Sequence, residues 1–381
     1  IDVYVDGRIA APKVYAGKNF SVALQVSGKV YAWGENTQNQ LGDGTDKSKA
    51  SPVAVQFGGD STMLGIRDIS ASDTHVLMVT ESMEVMSWGG NEHGQLGSMN
   101  KDNRSKAYYV YEDEYESILS DVISVAAGSS HSLALTKDGY VYAWGDNSNG
   151  QLGNGDTSAT NEKFHDDDTP DGIYAAQKVY RGESAATNDD WYIQDVIDIA
   201  AGKSFSVALK ADGTVWTWGL NNNYQLGIND TMTRPVPMQV LAGATSTTEK
   251  YLKNITAIAA GEAHVIVATT DGTMYSWGYN NWGQLGNNTT TTATKPVKVS
   301  NITNVAAISA NYYNSMAMTS DGSVYTWGWN EYGQLGNGDW NEYHEELISK
   351  VTVWGNCCYT DDTPLDQQAY REHDHAKYKR I

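Results

Sequence analysis

The chain has 381 residues, 37 glycines, 7 prolines and a formal charge of −20. That acidity lacks the basic footprint that nucleic-acid binding needs and argues against an anionic membrane surface; a cationic or protein partner, or self-assembly, fits better. No apolar run approaches the roughly 18 residues of a membrane span, and a chain rich in Gly, Asn, Thr and Tyr suits many short strands joined by turns.

The chain opens at Ile1 without Met or a signal-peptide pattern, and is read as a processed product or a fragment. Ile1–Val5 alternates apolar and polar residues up to Asp6-Gly7, the pattern of a short strand entering a turn. From about residue 14 to about 353 one unit then recurs six times, with Trp-Gly at Trp33, Trp88, Trp144, Trp218, Trp277 and Trp327. Self-similarity on this scale means a repeat architecture.

Each copy has three pieces of fixed spacing. The first is a strand ending in Ala-Gly or a variant, whose second residue (Gly17, Ser72, Gly128, Gly202, Gly261, Asn311) is never bulky. The second is an apolar strand such as Ser132–Leu135, running into Asp-Gly at Asp138, Asp212, Asp271 and Asp321, a hairpin signal. The first copy has Ser27-Gly28 there, and the second has Ser82-Met83, where a different or strained turn is expected. The third is a return strand ending in Trp-Gly and an Asn-rich loop, with Gln40, Gln95, Gln151, Gln225, Gln284 or Gln334 seven residues after the Trp. The Trp is large enough to fill the wedge between neighbouring sheets. All length variation falls between Gln-Leu-Gly and the next Ala-Gly, so recognition is expected in those insertions.

The unit Ala-Gly-x-x-His-Ser-Leu-Ala-Leu…Asp-Gly-x-Val-Tyr-x-Trp-Gly-x-Asn-x-x-Gly-Gln-Leu-Gly, clearest over Ala127–Gly153, resembles the regulator of chromosome condensation repeat. The resemblance implies an all-β fold: a β-propeller of four-stranded antiparallel blades around a central channel, typically seven-bladed in that family. Six blades are expected here, with a seventh degenerate blade built from the termini as the alternative. Closure is expected to pair an N-terminal with a C-terminal strand, Ile1–Val5 with Ser349–Val353. The propeller is expected to span residues 1–354, leaving 355–381 as a tail outside the repeats.

The family's founder is an exchange factor for the GTPase Ran and binds chromatin, but neither role matches a position in this chain. Bacterial relatives of the fold include a β-lactamase inhibitor, and many others are secreted or surface proteins. This favours an extracellular or cell-surface interaction scaffold; the Asn-x-Ser/Thr sequons at Asn103, Asn229, Asn254 and Asn288 are compatible with it but carry little weight, being frequent by chance in a chain this rich in Asn and Thr. The rivals are a guanine-nucleotide exchange factor-like regulator and a hydrolase or lyase using the channel.

His75, His131 and His264 share one repeat position with Phe20, Phe205 and Asn314; a place that accepts Phe packs and does not ligate. Cys357-Cys358 could form a strained vicinal disulfide, bridge to another chain or stay reduced, and His373 and His375 nearby make a soft-metal site conceivable. Asp166, Asp167, Asp168 and Asp171 are calcium candidates without the spacing of a calcium loop, so a solvated acidic turn is the competing reading and no other cofactor is expected. Tyr108, Tyr109, Tyr111 and Tyr115 alternate with acids and offer a recognition edge, or else lie flat on an outer strand. No nucleophile motif or phosphate loop occurs, so an enzyme is not expected. The end of the tail is basic (Lys377, Lys379, Arg380) and is read as docking on a neighbouring subunit or domain, or as a free linker.

Overall fold

The computed structural model describes residues 4–5, 8–9, 12–58, 65–113, 115–155, 157, 175–182, 191–243, 248–337 and 345–351. Each repeat folds into one antiparallel sheet of four consecutive strands, so the described strands form six blades. Blade one is Lys13–Ala16, Phe20–Leu24, Val30–Gly34 and Lys49–Ala54; blade two is Ile66–Ala71, His75–Thr80, Val85–Gly89 and Arg104–Tyr109. Blade three is Val122–Ala127, His131–Thr136, Val141–Gly145 and Gln177–Lys178; blade four is Val196–Ala201, Phe205–Lys210, Val215–Gly219 and Arg234–Gln239. Blade five is Ile255–Ala260, His264–Thr269, Met274–Gly278 and Ala293–Lys298; blade six is Val305–Asn311, Asn314–Thr319, Val324–Gly328 and Glu345–Lys350.

Among the described residues no N-terminal strand pairs with a C-terminal one. Tyr4–Val5 pairs with Arg8–Ile9, and Glu345–Lys350 is simply the outer strand of blade six. The reason is connectivity: the four strands of each blade pair in chain order, the outer one returning to its own blade's Trp-Gly strand after a longer link. The second copy's odd turn is also explained, because Met83 takes the left-handed conformation (φ 63) that glycine takes at Gly139 and Gly213.

The loop after each Trp-Gly is built by its Asn and Gln. The Asn carboxamide oxygen accepts the N–H of the Leu in Gln-Leu-Gly in all six copies, as at Asn280–Leu285 (2.9 Å). The Gln side-chain oxygen accepts the N–H two residues before it, as at Trp282–Gln284 (3.0 Å). This loop of constant length then presents the Gln carbonyl to the next blade. Trp88, Trp144, Trp218, Trp277 and Trp327, all fully buried, donate their indole N–H to the carbonyls of Gln40, Gln95, Gln151, Gln225 and Gln284 at 2.8–3.0 Å. Each such ring removes roughly 150–250 Å² from water, an upper bound of about 4–6 kcal/mol per blade contact.

The histidine position also lies between blades. His75, His131 and His264 direct Nε2 to Ser132, Ser206 and Ser315 of the following blade at 2.9, 3.0 and 2.8 Å. Those serines donate to the same Gln carbonyls, so each serine oxygen accepts from the imidazole. Where the histidine is replaced by Phe20 or Phe205, the facing residue is Val76 or Val265, and both pairs are apolar core. Burial holds the three imidazoles neutral, with pKa values lowered to about 3, about 4 and about 3.

Candidate interaction surface at the channel mouth

The turns after the six innermost strands converge on one cavity of about 240 Å³, the mouth of the central channel. The small residue of each Ala-Gly pair lets the backbones approach, and the next residue projects into the mouth: Lys18, Asp73, Ser129, Lys203, Glu262 and Tyr312, one per blade. These side chains tie the ring together. Ser129 Oγ donates to Asp73 at 2.6 Å, Tyr312 donates its hydroxyl to the same carboxylate, and Lys203 Nζ meets Glu262 at 2.7 Å. Asn311 Nδ2 donates to the Ala16 carbonyl at 3.2 Å, linking blade six to blade one.

Tyr313 extends this mouth outward. Burial and the Glu262 carboxylate push its hydroxyl up to about 12, so it stays protonated and donates. Its ring centre lies 5.8 Å from Tyr279, 6.2 Å from Trp282 and 6.3 Å from Trp329, and Trp329 is 5.4 Å from Tyr332. Tyr332 is 69% exposed, and the cluster borders a groove lined by Tyr279, Asn281, Trp282 and Thr290. Such an aromatic patch suits a cation on an apolar stem, by ring-face attraction.

The residues singled out in sequence fall elsewhere. Tyr108 sits on the outer strand of blade two, 36% exposed, with the Arg104 guanidinium 4.5 Å from its ring centre. Tyr109, on the opposite side of that strand, packs half-buried against the core, and Tyr111 is half-buried where the chain leaves the blade. Tyr115 is 82% exposed in the turn beyond. The four are neighbours along one blade edge without sharing a face. Asp166, Asp167, Asp168, Asp171, Cys357, Cys358, His373 and His375 lie outside the described residues. Among the described residues no three His, Cys, Asp or Glu side chains are grouped to hold a metal ion.

Sequence reading passed over the mouth and the aromatic patch because both lie in segments of constant length. The signal was present: the second and fifth residues after the repeat's Trp are Glu35 and Gln38, Gly90 and His93, Asp146 and Asn149, then Leu220 and Asn223. Only in copies five and six are both aromatic, as Tyr279 with Trp282 and Trp329 with Tyr332.

Two features have the look of catalysis. The Ser–His pairs place hydroxyl and imidazole in contact, but both are fully buried and each serine proton is given to a Gln carbonyl, so they pack. On the innermost strands Asp68 is held by Lys13 Nζ (2.6 Å) and Ser124 Oγ (2.7 Å). Burial, with the charge of Asp68, lifts the Asp198 carboxyl to about 6.

A model of the Regulator of chromosome condensation (RCC1) repeat matches residues 27–79, 84–135, 138–209, 212–268 and 271–318. A second model of that repeat matches 13–40, 66–95, 122–151, 196–225, 255–284 and 305–334, one window per blade. The chain belongs to the RCC1 repeat family. Among curated RCC1-repeat relatives it is 32% identical over 302 residues to E3 ubiquitin-protein ligase HERC2 of Homo sapiens, covering 78% of this chain and 5% of HERC2. It is 31% identical over 289 residues to the Ultraviolet-B receptor UVR8 of Arabidopsis thaliana, covering 75% of this chain and 57% of that protein. Among solved structures it is similar to human WBSCR16 (TM-score 0.71, 22% identity, 92% of this chain and 83% of that one). It is also similar to yeast RCC1 (Prp20) in its crystal structure with Kap60 (TM-score 0.69, 21% identity, 89% and 74%). At such identities these two show the fold alone.

Proposed function

We propose that this RCC1-repeat propeller is a non-catalytic protein-interaction scaffold. It works outside the cell or at the cell surface and grips a basic segment of its partner at the channel mouth. The observation that carries this reading is the continuity of Glu262, Tyr313, Trp282, Trp329 and Tyr332, a rigid aromatic surface on an acidic body. Aromatic anchors of this kind supply most of the binding energy in protein interfaces. The tyrosine edge at Tyr108 and Tyr115 serves as a second contact. The extracellular assignment is compatible with exposed sequon asparagines such as Asn103, Asn229, Asn254 and Asn288, which are open to glycosylation.

The test is titration with three labelled dodecapeptides, arginine-rich, uncharged and glutamate-rich, followed by anisotropy. The arginine-rich peptide is expected to bind, with affinity falling as salt rises and about ten-fold on Trp282→Ala, within the range of a desolvated cation–ring contact. Equal binding of the acidic and basic peptides, or no effect of Trp282→Ala, would overturn the reading.

A further inference from the structure

On blade three a lysine of the chain sits in a cage of three tyrosines. The Lys178 ammonium lies 4.7 Å from the ring centre of Tyr140, 5.5 Å from that of Tyr192 and 5.7 Å from that of Tyr142. All four side chains are half-buried. The backbone builds the cage. Lys178, on the outer strand, is directly opposite Tyr142, and Tyr140, two residues earlier, falls on the same face by the alternation of a strand. The chain then folds back along the outer strand, where Arg181 donates to the Trp191 carbonyl and Ile193 to the Val179 carbonyl. That return brings Tyr192 to the same ammonium.

A cross-strand Tyr–Lys pair does not make such a cage by itself. Tyr275 faces Lys298 in blade five and Tyr325 faces Lys350 in blade six. Thr273 and Ser323 stand there in place of Tyr140, and among the described residues neither lysine lies over a ring. In blade three the cage opens into a cavity of about 560 Å³, walled by Tyr142, Tyr180, Tyr192, Glu112, Asp113 and Lys178 itself. Among the described residues Lys178 Nζ makes no ion pair or hydrogen bond, so ring faces alone hold its charge. Glu112 is exposed, and its carboxylate accepts no hydrogen bond among those residues. The structure thus displays a guest that the cavity takes, an alkylammonium, and an acidic rim that this guest does not reach.

We propose that this cavity is a binding site for a trimethylammonium group that carries no anion of its own, as in choline or a trimethyl-lysine, and that Lys178 is its displaceable resident. A quaternary ammonium gives up less hydration than a lysine on entering, presents methyl groups to all three rings, and is free to approach Glu112. Lys178, once released, regains hydration and rotamer freedom. While it stays, it competes at an effective concentration of the order of millimolar. Glu112 and Asp113 repel a guest with its own phosphate, so a phosphocholine headgroup is disfavoured.

The test follows the N-methyl proton signal of choline by NMR in the full chain carrying Trp282→Ala, which removes the aromatic patch at the mouth as a rival cation site. Enclosure by ring faces should move that signal upfield. Adding Lys178→Ala is expected to tighten choline binding at least about ten-fold, and adding Tyr140→Ala as well should abolish the gain. Glu112→Gln, an exposed change that leaves packing intact, should weaken binding about three-fold. Urea midpoints confirm that each variant is folded. Tighter binding of N-acetyl-trimethyl-lysine amide than of choline assigns the guest to a protein side chain, and the reverse order to a free cation. Equal choline affinity with and without Lys178, a gain that survives Tyr140→Ala, or no upfield shift would overturn the proposal. So would phosphocholine binding as tightly as choline, because the acidic rim would then take no part.

Discussion

Replacing His131 by phenylalanine should make the protein less stable at neutral pH and more stable in acid. His131 is fully buried, its Nε2 bonds Ser206 Oγ at 3.0 Å, and its pKa is lowered to about 4 from an ordinary 6.5. A base whose folded pKa is depressed costs nothing above its unfolded pKa, and stability falls as pH drops from 6.5 to about 4. At about 1.36 kcal/mol per pKa unit the loss from this residue is about 3 kcal/mol. Phe fits the position, since Phe20 and Phe205 occupy it in blades one and four. The variant loses one hydrogen bond, about 1 kcal/mol at pH 7.5, and sheds the acid penalty, so the two stability curves should cross between pH 6.5 and 4. Adding Ser206→Val recreates the Phe205–Val265 pairing; Trp218 still donates to the Gln151 carbonyl, so the double variant should recover most of the neutral-pH loss. Urea unfolding followed by tryptophan fluorescence at pH 7.5, 6 and 4.5 measures all three. An unchanged pH slope in His131→Phe would refute the view that buried neutral imidazoles make the propeller acid-sensitive.

Three further outcomes follow from the same packing. Asp198→Asn should stabilise the protein by up to about 3 kcal/mol above pH 6, because a carboxyl raised to about 6 favours folding below its ordinary 3.8 and loses that advantage as pH rises through 6; urea midpoints at pH 4 and 8 check it. Gly227→Ala should cost about 3 kcal/mol or more, because the left-handed backbone (φ +66) resists a side chain and the new Cβ would meet Trp277 Nε1 at 2.8 Å; thermal unfolding reads it. Trp277→Phe should cost about 2–4 kcal/mol through lost packing and an unpartnered Gln225 carbonyl, measured by urea unfolding.

The blade architecture was legible in sequence because each of its parts has a fixed spacing. The Trp, the Asn and the Gln make one hydrogen-bonded unit, and any insertion inside it would break that unit. The packing role of His75, His131 and His264 was legible from Phe in the same register. Their pairing with Ser132, Ser206 and Ser315 was not, because it joins positions one blade apart that no local pattern connects. The mouth was missed for the same reason: Lys18, Asp73, Ser129, Lys203, Glu262 and Tyr312 meet only when the ring is formed. The pairing of terminal strands was expected from the cost of exposed sheet edges, but Glu345–Lys350 pairs with Val324–Gly328 as the outer strand of blade six.

The central claim, that the partner is gripped at the mouth and its aromatic extension, is tested most directly by hydrogen exchange with and without the arginine-rich dodecapeptide. Protection is predicted at residues 279–283, 311–313 and 329–333 and nowhere of comparable size. Protection confined to the insertions after Gln-Leu-Gly, such as residues 112–117, or none at all, would contradict it.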